Sequence, residues 1–198
     1  MKASADWFST MREFFLERTP PLHGHDDSGE NYARMLYSLA RGCLSKVNTI
    51  LEVGAGPQGT SGVVFAHAQR EAGFLLPRIF SIEIADHNPL PQWVEYVQEE
   101  LGVCWQIVRG DSLQVELENL PQQVDLLYID GDHGGDHVIG DYRRFSLLVR
   151  PGGLVVFDDY PRATGVAAAV SVLRTEGVTG VAVRYNQNDG NSHYVVMK

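Results

Sequence analysis

Acidic residues follow two apolar segments in the second half of the chain. The segment ending at residue 129 is followed by Asp130, and the segment ending at residue 157 is followed by Asp158 and Asp159. If these segments are parallel strands, their carboxyl ends open on one rim and the three carboxylates converge. Uncompensated carboxylates repel one another, whereas Mg²⁺ or Mn²⁺ would bind them through oxygen. The alternative is that Asp158 and Asp159 cap the next helix while Asp130 faces solvent.

A glycine-rich turn follows an earlier apolar segment. Gly54, Gly56 and Gly59 match the pattern GxGxxG, which nucleotide sites share with simple tight turns. Glu52 precedes this turn, at the end of a strand expected to be buried, where a carboxylate needs a cation or hydrogen-bond donors. S-adenosylmethionine offers an ammonium and a sulfonium, whereas the pyrophosphate of NAD would be repelled. The pattern therefore favours S-adenosylmethionine.

Polar residues also end the next two predicted strands. Glu83 can accept hydrogen bonds from both ribose hydroxyls, in either class of ligand. Asp111 and Ser112, after the third strand, can hydrogen-bond the edge of an adenine.

Alternating apolar and amphipathic segments predict a single α/β domain. The expected fold is a doubly wound, mostly parallel seven-stranded sheet whose last strand is antiparallel, because only the turn 186–192 separates the final strands. Residues 1–47 are expected to form a helical extension with a loop at Thr19–Gly29, and residues 48–198 the main domain. The predicted strands are Thr49–Val53, Arg78–Ile84, Val103–Val108, Val124–Ile129, Gly153–Phe157, Gly180–Tyr185 and His193–Met197. The predicted helices are Thr60–Glu71, Pro91–Leu101, His137–Leu148 and Ala163–Thr175.

Composition argues against several kinds of partner. The 198-residue chain carries 16 basic and 25 acidic residues, a net charge of −9, without the clustered basic residues that bind phosphate backbones. No apolar stretch approaches the roughly 20 residues of a membrane span. Cys43 and Cys104 form no metal-binding pattern and are expected to be unrelated buried thiols. We therefore expect a cytoplasmic protein with neither nucleic-acid nor membrane partners, and its oligomeric state stays open.

These motifs, in this order, resemble those of class I S-adenosylmethionine-dependent methyltransferases over about residues 48–198. The matching segments are Leu51-Glu52-Val53-Gly54-Ala55-Gly56, Glu83, Gly110-Asp111-Ser112 and Pro151-Gly152-Gly153. The resemblance implies that Glu52, Gly54 and Ser61 face the methionine end of the donor. It places Glu83 at the ribose and Ser112 at the adenine. For Ser61 and Ser112, capping of the helices that follow is an equal alternative.

The acidic segments resemble a narrower group. Asp130 and the later Asp158-Asp159 are similar to the metal site of catechol O-methyltransferase-like enzymes, with Asp159 where those have asparagine. Ile-Asp-Gly-Asp-His at 129–133 looks closer to the macrocin O-methyltransferase group, which has histidine where catechol O-methyltransferases have the basic lysine. The resemblance implies that His133 is the general base. Cephalosporin hydroxylase-like proteins share much of the pattern.

Together these patterns predict metal-assisted O-methyl transfer to a hydroxyl of a small molecule such as a sugar, diol or catechol. A metal lowers the pKa of a bound hydroxyl, and a histidine can accept its proton at neutral pH. Two alternatives remain. One is a metal-independent N- or C-methyltransferase, and the other is a non-catalytic S-adenosylmethionine-binding module.

Overall fold

The computed structural model describes residues 28–42, 46–86, 90–184 and 192–198. The strands are β1 (Thr49–Val53), β2 (Arg78–Glu83), β3 (Cys104–Arg109), β4 (Val124–Ile129), β5 (Val149–Tyr160), β6 (Val181–Arg184) and β7 (Ser192–Met197). The helices are α1 (Ser28–Ala40), α2 (Thr60–Glu71), α3 (Leu90–Leu101), α4 (Gly135–Phe145) and α5 (Thr164–Thr175), with short 3₁₀ turns at Leu117–Asn119 and Ser146–Leu148. None of these helices is long and apolar enough to cross a bilayer.

The strands form one sheet in the order β3-β2-β1-β4-β5-β7-β6. The first five strands in this order pair in parallel, and β7 pairs antiparallel with both of its neighbours. The predicted doubly wound sheet with an antiparallel last strand is therefore confirmed. Strand order reverses between β1 and β4, which is where open α/β sheets bind ligands.

Helices cover both faces of this sheet, as strands that are apolar on both faces require. On one face α1, α2 and α3 pack over Ile50, Tyr128 and Val195. On the other face α4 and α5 pack over Leu127 and Phe157. The central strands are buried throughout, so their carboxyl ends are held rigidly.

Several boundaries differ from the predicted ones. Strand β5 extends well beyond Gly153–Phe157, because Gly152 donates to the carbonyl of Lys198 at 2.6 Å and the Lys198 amide donates to Gly153 at 3.0 Å. Helix α1 begins at Ser28, inside the predicted loop, and residues 19–27 lie outside the described part of the chain. Helix α4 ends at Phe145, three residues before the predicted end, and a 3₁₀ turn continues to Leu148. The remaining elements agree to within two residues where they are described, and the boundary at residue 48 stays a prediction.

The prediction that the cysteines are buried is wrong for Cys104. This residue begins the edge strand β3, whose side chains are alternately exposed and buried along part of its length, and its own side chain is exposed. Cys43 lies outside the described residues.

Close packing between α2 and β3 generates a first prediction. A Cβ on Gly62 would lie 2.2 Å from Cζ2 of the buried Trp105. Gly62→Ala should therefore lower the free energy of unfolding by about 1–2 kcal/mol, since overpacking outweighs the roughly 1 kcal/mol that alanine gains in a helix. Urea denaturation measures the change, with the exposed-site variant Ser171→Ala as control. Equal stability of the Gly62 variant and the wild type would contradict the packing.

Candidate donor and metal site

The glycine turn after β1 lies directly against the end of β4. Gly54 has a φ of 89°, and a Cβ at this position would lie 2.2 Å from the carbonyl oxygen of Asp130. Gly54 donates to the Ile82 carbonyl and Asp130 donates to the Val53 carbonyl, each at 2.9 Å. Only glycine fits this contact. The glycine turn, which is predicted to bind the donor, therefore lies immediately beside Asp130, the first residue of the acidic rim formed by Asp130, Asp158 and Asp159.

The buried carboxylate of Glu83 supports the same turn. It accepts hydrogen bonds from the backbone amides of Gly56 and Ala85, both at 2.9 Å. The structure thus brings the predicted cofactor-binding residues Gly56 and Glu83 together at the carboxyl ends of β1 and β2. Contact of Glu83 with a ribose stays a prediction.

Glu52 lies fully buried in β1, where hydroxyl donors satisfy its carboxyl group. Ser61 donates to one oxygen, and Ser81, its neighbour on β2, donates to the other at 2.5 Å. Trp105 in turn donates to Ser81 at 2.8 Å. The pKa of Glu52 is raised to about 7, mainly by burial. The charge of Glu83 acts in the same direction, and the hydrogen bonds from the two serines oppose it.

Neither serine caps a helix as the alternative interpretation proposed. The N-cap of α2 is Gly59, without a side-chain cap, and Ser61 bonds Glu52 instead. Ser112 lies in a non-helical turn, where Asp111 accepts the amide of Leu113 at 2.9 Å. Contacts of Glu52 and Ser61 with the methionine end, and of Asp111 and Ser112 with the adenine, stay predictions.

Asp130 and Asp158 are neighbours at the carboxyl rim. They follow Ile129 and Phe157, the last residue pair in register between β4 and β5. Burial, together with the negative charge of Asp158, raises the pKa of Asp130 well above its usual range, against a hydrogen bond from His133.

His133 lies between two of the predicted metal ligands. Its Nε2 is 3.6 Å from Oδ1 of Asp130, and its Nδ1 is 3.8 Å from Oδ2 of Asp159. The hydrogen bond to Asp130 raises the pKa of His133 although burial opposes it, and the charge of Asp159 adds to the effect. The side chain is 41% exposed, so a ligand can reach the ring.

The structure brings Asp130 and Asp158 together and places Asp159 against His133, but these acids do not form a metal cluster. Asp158 and Asp159 do not cap the next helix, because the N-cap residue of α5 is Ala163 and no side chain caps this helix. Asp130 is 24% exposed and faces His133 rather than open solvent. Within the described residues, no three His, Cys, Asp or Glu side chains are arranged to hold a metal ion. Metal binding by Asp130, Asp158 and Asp159 stays a prediction.

Three residues beneath the rim were missed by the sequence analysis. His193 of β7 lies with its Nδ1 2.7 Å from Oδ1 of Asp158. Tyr128 donates to Asp130 across 3.4 Å, and its hydroxyl lies 2.7 Å from that of Tyr32 on α1. Burial opposes the charged form of Asp158, but the hydrogen bond and charge of His193 outweigh it and lower the pKa of Asp158.

The sequence contained a partial signal for His193. Histidine in an otherwise apolar strand needs a partner when it is buried. Which partner depends on the register between β5 and β7, which is not readable from the sequence.

The family comparison agrees with this fold. The profile of a family described as a methyltransferase domain matches residues 51–160, which include β1 to β5 and the acidic rim. The chain therefore belongs to this methyltransferase family. Its sheet order and motif order define it as a class I S-adenosylmethionine-dependent methyltransferase.

One relative matches part of the sequence. An uncharacterised protein of Acanthamoeba polyphaga mimivirus is 48% identical over 44 residues, which cover 22% of this chain. The matched segment spans only 20% of the viral protein.

Solved structures share the fold at low sequence identity. An O-methyltransferase from Bacillus cereus in complex with S-adenosylhomocysteine has a TM-score of 0.64 and 18% identity, covering 100% of this chain and 93% of its own. A TDP-rhamnose 3'-O-methyltransferase of calicheamicin biosynthesis has a TM-score of 0.67 and 16% identity, with coverage of 100% and 95%. A Podospora anserina methyltransferase bound to S-adenosylhomocysteine has a TM-score of 0.61 and 14% identity, with coverage of 100% and 98%.

The burial of Glu52 generates a second prediction. Because the pKa of Glu52 is about 7 in the folded chain against about 4.5 as its ordinary value, the unfolded chain releases this proton first as pH rises. The wild-type free energy of unfolding should therefore fall between these pH values relative to Glu52→Gln, by up to about 3 kcal/mol.

Denaturation of both proteins at a series of pH values from 4 to 8 measures this difference, with Glu99→Gln as the exposed control. A stability difference between wild type and Glu52→Gln that does not change with pH would contradict the buried titration.

Proposed function

We propose that this protein transfers the methyl group of S-adenosylmethionine to a hydroxyl of a small molecule, assisted by Mg²⁺ or Mn²⁺. The observation that carries the proposal is the contact of Asp130 with the Gly54 turn, together with the positions of Asp158 and His133 beside Asp130. Oxygen ligands, a basic side chain and the donor turn thus share one rim. Structural neighbours named as O-methyltransferases support transfer to oxygen.

The chemistry of the donor set fits a hard divalent cation. Asp130, Asp158 and Asp159 offer carboxylate oxygens, which Mg²⁺ and Mn²⁺ prefer. Once bound by these residues, the metal would supply electrostatic stabilisation of the deprotonated acceptor hydroxyl.

Each protein group then has a defined task. The Gly54–Gly59 turn and Glu83 position the donor, since correct placement of donor and acceptor supplies much of the rate enhancement. His133 accepts the hydroxyl proton at a ring nitrogen. Asp130 and Asp159, on either side of the ring, stabilise the imidazolium that forms.

The class of acceptor follows from the metal. Two neighbouring oxygens that chelate one ion are present in vicinal diols, catechols and sugars. The neighbour named as a TDP-rhamnose 3'-O-methyltransferase acts on a sugar, which favours sugars among these acceptors. No nucleic-acid or membrane partner is proposed for a chain with a net charge of −9.

Metal removal tests the proposal against its metal-independent alternative. With a panel of diol acceptors, EDTA should abolish methyl transfer and Mg²⁺ or Mn²⁺ should restore it, while S-adenosylhomocysteine still binds. Asp158→Asn should lose activity in the presence of metal, whereas Asp136→Asn, an exposed rim variant, should not. Full activity of Asp158→Ala in chelator would remove the metal from the mechanism.

Substitution of His133 tests the base. His133→Ala should lower kcat by roughly 10²–10⁴-fold, the usual contribution of a positioned base, while donor and metal binding persist. His137→Ala is the matched control, because His137 is similarly exposed and lies one helical turn further along. An unchanged kcat would exclude His133 as the base. A loss of stability in place of rate would make His133 structural.

A further inference from the structure

We propose that His193 is a positioning residue that orients the carboxylate of Asp158 for metal binding. This inference rests on the proposed function. It assigns a role to a strand that lies outside the matched family segment 51–160.

The contact between the two side chains is short and buried. Nδ1 of His193 lies 2.7 Å from Oδ1 of Asp158, and the side chains are 0% and 8% exposed. A carboxylate so buried needs a partner to stay ionised, and the imidazole supplies it. His193 contacts one oxygen of Asp158, and Tyr128 and the backbone of Asp159 also hydrogen-bond this carboxylate.

The imidazole ring is itself held from several sides. Its centroid lies 5.6 Å from that of Tyr32 on α1 and 6.0 Å from that of Tyr128 on β4. The backbone of His193 pairs with Val183 on β6, and the next residue, Tyr194, pairs with Phe157 on β5. Ring and backbone are therefore both fixed relative to Asp158.

The same aromatic side chains connect His193 to the other acidic residue. Tyr128 donates to Asp130, while its ring packs edge-on against His193. Asp130 and Asp158 are thus each contacted from below by one member of a single packed group. Groups that hold metal ligands in this way commonly decide metal affinity as much as the ligands themselves.

A purely structural role would make a different prediction. If His193 only fills space, any side chain of similar size and polarity should replace it. If it positions Asp158 through Nδ1, the replacement must donate a hydrogen bond from that position. Asparagine places its amide nitrogen near the position of Nδ1, whereas glutamine places it near that of Nε2.

The test compares His193→Asn, His193→Gln and His193→Phe with the wild type. Each full-length protein is saturated with S-adenosylhomocysteine and titrated with Mn²⁺ by calorimetry. We expect the Gln and Phe variants to bind Mn²⁺ about 10–100-fold more weakly, and the Asn variant to stay within about threefold of the wild type. Affinity for S-adenosylhomocysteine measured without metal should be the same in all proteins.

The outcomes separate this inference from the proposed function. Wild-type protein without Mn²⁺ affinity overturns both. Wild-type affinity with equal binding by the Asn and Gln variants overturns the positioning role alone. If the Phe variant fails to fold, the difference in Mn²⁺ affinity between the Asn and Gln variants decides whether His193 positions Asp158. A Gln variant that loses S-adenosylhomocysteine binding makes His193 a structural residue and also overturns the inference.

Discussion

The contact between Gly54 and the backbone of Asp130 is the constraint on which the site depends. A Cβ at residue 54 would meet the Asp130 carbonyl at 2.2 Å, so the donor turn and the acidic rim can only adjoin through glycine. The contact lies where strand order reverses between β1 and β4. Parallel pairing of β4 with β5 then places Asp158 beside Asp130. Sheet topology therefore brings the residues proposed to bind the donor, to bind the metal and to act as the base into one small region.

Three carboxyl groups of the site are buried or partly buried, and different neighbouring side chains contact each of them. Ser61 and Ser81 satisfy Glu52, whose pKa lies near 7. His193 compensates Asp158 from below the rim. Burial and the neighbouring Asp158 raise the pKa of Asp130, against the hydrogen bond from His133. Each of these carboxyl groups therefore has a different set of neighbours.

Much of this arrangement was predictable from the sequence, for physical reasons. Strands β1 and β4 are mostly apolar and are followed directly by glycine or aspartate, so their limits were predicted correctly. The adjacency of Asp130 and Asp158 followed from parallel pairing. The partners of Glu52 and Asp158 did not follow, because Ser81 and His193 reach them through strand register. Register depends on packing across the whole sheet rather than on local pattern. Cys104 was misplaced because an edge strand alternates exposure where a central strand does not.

The most direct test of the central claim is to incubate the protein with S-adenosylmethionine labelled on its methyl group, a divalent metal and a panel of sugar and catechol acceptors. Mass spectrometry of the products measures the transfer, and calorimetry measures donor affinity in parallel. The account predicts labelled methyl on an acceptor oxygen, formed together with S-adenosylhomocysteine, and weaker donor binding by Glu83→Gln. Binding of NAD, with no affinity for S-adenosylmethionine or S-adenosylhomocysteine at millimolar concentration, would contradict it.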